Sequence, residues 1–151
     1  MNIHFNAESI SKIQKHLKAK IHKLEDMTQF WQNVGIYVQK QTINERFEKE
    51  QAPDGSKWKP LSPARVKQRL KKHKSGKMKI LQDVGELRRS ITYEAGKNYV
   101  RVGSNLKYAA THQFGRGNIP ARPYLGVTQI EKAHILSMCR AYIKRHITGG
   151  G

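Results

Sequence analysis

Acidic residues are scarce. The 151 residues hold 11 Asp and Glu against 29 Lys and Arg, a formal net charge of +18. Such an excess favours polyanionic partners (nucleic acid, acidic protein surfaces, anionic membranes) and says little about fold. Cysteine is nearly missing: the lone Cys139 excludes an intrachain disulfide framework and fits a reducing compartment or a buried thiol. No window approaches the ~20 apolar residues needed to span a bilayer. The start, MNIHFNAESI, lacks a basic segment followed by a long apolar run, so it does not read as a secretory signal. No membrane association and a first location in the cytoplasm are expected. Apolar residues make up 37% and aromatics 8%. This suits a single domain over 1–148, with part of the chain left as arm, loop or subunit interface. Gly149–Gly151 reads as a flexible tail.

The usual chemical constellations are also missing. Seven histidines are scattered, and none stands at a metal-ligand spacing from another His, a Cys or a carboxylate. His134 falls on an apolar helix face and reads as a core-edge residue. His112 has no nucleophile or orienting acid nearby in the chain. Asp83 and Glu86 are the only candidates in the middle of the sequence. The glycines at 103, 115 and 117 lack phosphate-loop spacing. Cys139 has no local base. No catalytic residue, metal or cofactor is expected.

What is present is patterned. Ile3 and Phe5 alternate like a short edge strand. Ile10, Ile13, Leu17, Ile21 and Leu24 recur at helical spacing through a lysine-rich segment from Ala7 to about Leu24. Asp26 or Thr28 caps a second helix, expected from Thr28 to Glu50. Its first half is apolar nearly all round, as a central helix is. Its second half is polar and is expected to project outward, with Phe47 as a late anchor. Pro53-Asp54-Gly55 is a turn. Trp58, set between two lysines, could stack on a base but more often anchors a loop. Ser62-Pro63 starts a third helix.

From Lys57 to Lys79 there are ten Lys and Arg and no acid. The run reads as a basic, mobile loop. Lys67, Arg69, Lys71, Lys72, Lys74, Lys77 and Lys79 are its candidates for contact with phosphate or a partner. Leu81, Val84 and Leu87 then give a short apolar face, and Gly85 permits a close turn. Ser90–Glu94 and Tyr99–Val102 read as a β-hairpin. Tyr108–Phe114 is a short helix ended by Gly115, and Pro120 and Pro123 hold the following bridge extended. A last helix from about Val127 to His146 shares Val127, Ile130, His134, Met138, Ala141 and Tyr142 on one face. There is no internal repeat. The order of elements indicates an α+β fold with a small antiparallel sheet.

Four blocks in order, PDGSKWKPLSP, KILQDVGELRRSI, VRVGSNLKYAATHQFG and IPARPYLG, resemble the phage virion morphogenesis family. These are the Mu-like tail completion proteins, related to the P2-like ones. The resemblance runs from about Phe47 to Leu125. Val84 stands where threonine is usual, Tyr124 where phenylalanine is common, and the lysine-rich insert before Lys79 is less typical. It implies a non-enzymatic structural protein of a tailed phage or prophage particle, acting in tail completion and head–tail joining as a homo-oligomeric ring in the neck or tail. The partners it implies are the tail terminator, tail tube, and neck or connector proteins, with non-specific contact to packaged DNA. Trp58, Gly85, Leu87, Gly103, Tyr108, His112, Gln113, Phe114, Gly115, Pro120, Arg122, Pro123 and Tyr124 are expected to form its packing and assembly motif. A free, basic DNA-binding protein is the alternative. A hydrolase using His112 with Asp83 or Glu86 is the weakest reading.

Overall fold

The computed structural model describes residues 7–73 and 78–148. The expected edge strand at Ile3 and Phe5, the Gly149–Gly151 tail, Lys74 and Lys77 lie outside them. In chain order the elements are α1 (Ala7–Glu25), α2 (Thr28–Gln41), a π-helical continuation (Thr42–Phe47), α3 (Pro63–Lys72), α4 (Glu86–Arg89), β1 (Thr92–Ala95), β2 (Val100–Gly103), α5 (Ala109–Phe114) and α6 (Gln129–Thr148). The fold is α+β, and its sheet is the antiparallel pair β1–β2, with Thr92 opposite Gly103 and Ala95 opposite Val100.

A two-stranded hairpin is marginal alone and needs a packing partner. Here that partner is α2, which lies across it. Gly35 makes the approach possible: a Cβ there would stand 2.4 Å from Cδ2 of Tyr93. The start of α2 is fixed by Asp26, whose Oδ1 accepts from Thr28 N at 3.0 Å and Thr28 Oγ1 at 2.6 Å. Those bonds hold the Asp26 carboxyl below its ordinary pKa. Met27 N donates to Lys97 O in the hairpin turn at 3.0 Å.

Two apolar clusters result. One gathers Phe30, Val34 and Val38 of α2 with Val100 and Val102 of β2 and with Ile135, Met138, Cys139 and Tyr142 of α6. The other gathers Phe47, Ala52, Trp58, Ile80, Leu81, Leu87, Ile91, Ala109 and Tyr124. Tyr124 lies 5.4 Å and Trp58 5.6 Å from the Phe47 ring, Trp58 edge-on. Trp58 is thus a buried anchor.

The outward projection expected for the end of the second helix is corrected. Thr42, Arg46 and Phe47 are buried. The turn widens there to i→i+5 bonds, Glu48 N to Ile43 O and Gln51 N to Arg46 O. Wider turns bring positions four and five residues apart onto one face, so Arg46 and Phe47 both point inward.

The face expected on the last helix is also corrected. Ile130 is 83% exposed, and Glu131 is buried instead. The face that packs on α2 carries Ile135, Met138, Cys139 and Tyr142. His134 is exposed and stacks on Tyr37, ring centroids 4.5 Å apart. Val84, expected in an apolar face, is exposed, whereas Leu81 and Leu87 are buried.

Helix α1 lies against α6, with Lys20 Nζ donating to Ile147 O. Of its apolar stripe, Leu17 and Ile21 are exposed and Leu24 is half-buried.

Candidate assembly site

The ordered blocks of the sequence meet in space. A cleft of about 830 Å³ is lined by Lys59–Ser62, by Arg65 and Arg69 of α3, by Leu81 and Asp83–Leu87, by Tyr108 and His112, and by Asn118–Pro120 and Arg122. Each of the four sequence blocks supplies part of its wall.

Helix α3 forms one side. Ser62 caps it as expected, accepting from Arg65 N at 3.3 Å, with Pro63 in the first turn. The basic run is therefore helical from Pro63 to Lys72 rather than loop throughout. Arg69 does not face solvent: it is buried, and its Nη1 donates to Lys79 O at 2.7 Å. Lys79 pairs with Glu48, and Lys72 lies 3.8 Å from Asp83. Lys67 and Lys71 are exposed.

Asp83 gathers basic side chains. His73 Nε2 lies 3.0 Å, Arg65 Nη2 3.2 Å and Arg69 Nε 3.7 Å from its carboxylate. Burial raises its pKa, but Arg69, the His73 hydrogen bond, Lys72 and Arg65 together hold it below the ordinary value. The backbone here is tightly set. Gly85 takes φ 74° at the start of α4, and Leu81 takes φ 59°, uncommon for a residue with a branched side chain.

Across the cleft, Tyr108 donates to Glu86 Oε2 at 2.7 Å. Burial, that bond and the Glu86 charge push the phenol up to about 12. His112 meets Tyr108 edge-on at 5.8 Å. Its pKa is lowered by burial, then by Arg122 and Arg65. Its Nδ1 is buried with no hydrogen-bond partner. His112, Asp83 and Glu86 thus share a cleft, but the two carboxylates are bonded to His73 and Tyr108, and no His112–carboxylate hydrogen bond forms. Among the described residues, no group of three His, Cys, Asp or Glu could hold a metal ion. Among them too, no helix is long and apolar enough to cross a membrane.

The connector that follows α5 is held like a strand without being in a sheet. Gly115 turns the chain at φ 78°, where a Cβ would stand 2.8 Å from Ala121 N. Arg116 and Ile119 exchange backbone bonds at 3.0 Å, and Arg122 N donates to His112 O at 2.8 Å. The Gln113 amide then acts as a short strand edge. Its Oε1 accepts from Tyr124 N and Leu125 N, both at 3.0 Å, and its Nε2 donates to Leu125 O at 3.0 Å. Tyr124 OH donates to Ala109 O at 3.0 Å, and Trp58 Nε1 to Pro123 O at 2.7 Å. Pro120 is half-buried in the cleft wall, and Gly103 ends β2 with open space around it. Phe114 is 77% exposed and takes no part in this packing.

Arg46 and Glu131 were not anticipated. Their buried pair, 2.6 Å from Nη1 to Oε1, ties the π-helical turn to α6. Glu131 also closes a capping box, accepting from Thr128 N at 2.8 Å while Thr128 Oγ1 accepts from Glu131 N at 3.1 Å. The Thr-x-x-Glu spelling at 128–131 is the signal that could have found it.

Comparison with known proteins agrees with the blocks. Residues 8–144 match the phage virion morphogenesis family. The chain is similar to "Mu-like prophage FluMu G protein 1" of Haemophilus influenzae, 34% identical over 60% of this chain and 62% of that protein. It is similar to "Putative capsid assembly protein G" of Escherichia phage Mu, 33% identical over 66% of this chain and 69% of that one. "Mu-like prophage FluMu G protein 2" of Haemophilus influenzae is 42% identical over 45% and 58%. The match thus spans about three fifths of the length of the two Haemophilus relatives. No solved structure matches the chain. With the family match running over nearly the whole sequence, the chain belongs to the phage virion morphogenesis family.

Proposed function

We propose that this protein is a non-enzymatic subunit of a tailed phage or prophage particle that completes the tail and joins it to the head, working as a ring in the neck or tail. The observation that carries the reading is the family match over residues 8–144, supported by a relative named for capsid assembly. The exposed Leu17 and Ile21 of α1 and the exposed Phe114 and Ile130 fit subunit contacts. The charge of +18 fits a ring around a channel that carries DNA. Assembly would begin in the host cytoplasm, with tail terminator, tail tube and connector proteins as neighbours. The test is negative-stain imaging of particles made with and without the gene. Unjoined heads and tails in its absence, restored by complementation, are expected. Joined particles that form without it and do not contain it overturn the proposal.

A second reading, a free DNA-binding protein, is favoured by Lys67 and Lys71, exposed on α3. Duplex binding should then weaken with salt by about 0.9 in log–log slope per phosphate neutralised. Absence of binding at low salt removes it.

A further inference from the structure

Arg122 is a buried cation without an anion. It is 6% exposed. Its Nε and Nη2 donate to the carbonyls of Lys59 and Pro60 at 2.8 and 2.9 Å. Among the described residues no carboxylate pairs with it, and Nη1 makes no bond. The unbonded Nη1 is not closed off from solvent, and a guanidinium otherwise this buried is ordinarily matched by a carboxylate. Arg122 lines the cleft beside Arg65, Arg69 and His112. The His112 Nδ1 is an unsatisfied polar atom behind that wall, closed to solvent. The cleft's own carboxylates are committed, Asp83 to His73 and Arg65 and Glu86 to Tyr108.

Resting on the assembly role proposed above, we infer that the cleft receives a single carboxylate side chain from an extended, largely apolar segment of another virion protein, with Arg122 as its anchor beside His112. Three observations choose this occupant. Val84, Tyr108 and Ile119 leave exposed apolar surface along the cleft, which suits a peptide that brings apolar neighbours with its one charge. Asp83 and Glu86 in the wall oppose a continuous phosphate backbone. A second copy of this chain is a poor donor, because every described Asp and Glu side chain is already bonded within its own chain.

The test titrates the full chain with a blocked Leu-Glu-Leu tripeptide, its Leu-Gln-Leu isostere, inorganic phosphate and a short DNA duplex. It follows the His112 ring and Arg122 Nε–H resonances by NMR. With Leu-Glu-Leu, saturable shifts and a rise in the His112 pKa are expected. Binding should be about 10- to 100-fold weaker for the isostere and for Arg122→Gln, the loss of a charged hydrogen bond. The wild-type His112 titration decides the matter even where Arg122→Gln does not fold. No response to the tripeptide, equal binding of the isostere, preference for phosphate or duplex, or shifts that grow with protein concentration alone each overturn the inference. A chain that joins particles yet ignores the tripeptide overturns this inference and leaves the assembly role standing. A chain that binds it but is dispensable for particles overturns the assembly role and the virion donor, and leaves the carboxylate site itself standing.

Discussion

The Arg46 guanidinium meets the Glu131 carboxylate through two nitrogens, Nη1 to Oε1 at 2.6 Å and Nη2 to Oε2 at 2.7 Å, with the side chains 3% and 10% exposed. Removing one partner strands the other in the interior, so Glu131→Gln should cost about 3–5 kcal/mol. Urea unfolding at neutral pH measures it.

The same pair sets an acid limit. Burial raises the Glu131 pKa, but the Arg46 hydrogen bond, the Thr128 bonds and the Arg46 charge outweigh burial and leave it lowered. A lowered folded-state pKa stabilises the protein above the unfolded carboxyl value of about 4.3, and that contribution is lost as pH falls through the folded value. The Asp83 carboxyl acts in the same direction. Denaturation midpoints should fall as pH drops below about 4.3, and less steeply in Glu131→Gln. Equal slopes in the two proteins would refute the assignment.

Much of this was legible in short-range pattern. The α1 helix, the Ser62-Pro63 helix start, the hairpin and the glycine–proline path of the connector depend on neighbours within a turn or two. Arg46 and Arg69 were misread because composition counts arginine as surface charge. They instead bury their heads against groups 85 and 10 residues away along the chain, as Arg122, expected in the packing motif, does against one 63 residues away. Periodicity likewise placed Ile130 inside α6, since hydropathy cannot know that Arg46 waits for Glu131. The cleft itself was invisible in the sequence, because its walls come from four separate blocks.

Gln113→Ala should remove three hydrogen bonds and leave the Tyr124 and Leu125 amides without acceptors. Each stranded buried group costs about 1–3 kcal/mol. A fall in melting temperature and faster amide exchange at Tyr124 and Leu125 are expected. Gln113→Glu, which keeps the acceptor and loses the donor, should fall between wild type and alanine.

Two glycines should respond unequally to alanine. At Gly35 the new methyl meets Tyr93 Cδ2 at 2.4 Å, whereas at Gly103 nothing lies within 4 Å. Gly35→Ala should destabilise by about 1–3 kcal/mol through overpacking, and Gly103→Ala by no more than about 0.5 kcal/mol. Thermal unfolding of both variants checks this, and equal shifts would contradict the proposed fit of α2 on β1.

Trp58→Phe keeps a ring beside Phe47 but loses the N–H that reaches Pro123 O. A loss of about 0.5–1.5 kcal/mol is expected for the bond, read from denaturant midpoints.

The Gln113 clasp has a mechanical consequence. A connector without regular structure ordinarily behaves as slack, stretching before it transmits load. This one is stitched to α5 at Arg122, Tyr124 and Leu125. A pull on α6 should therefore reach α5 and the cleft wall with little give.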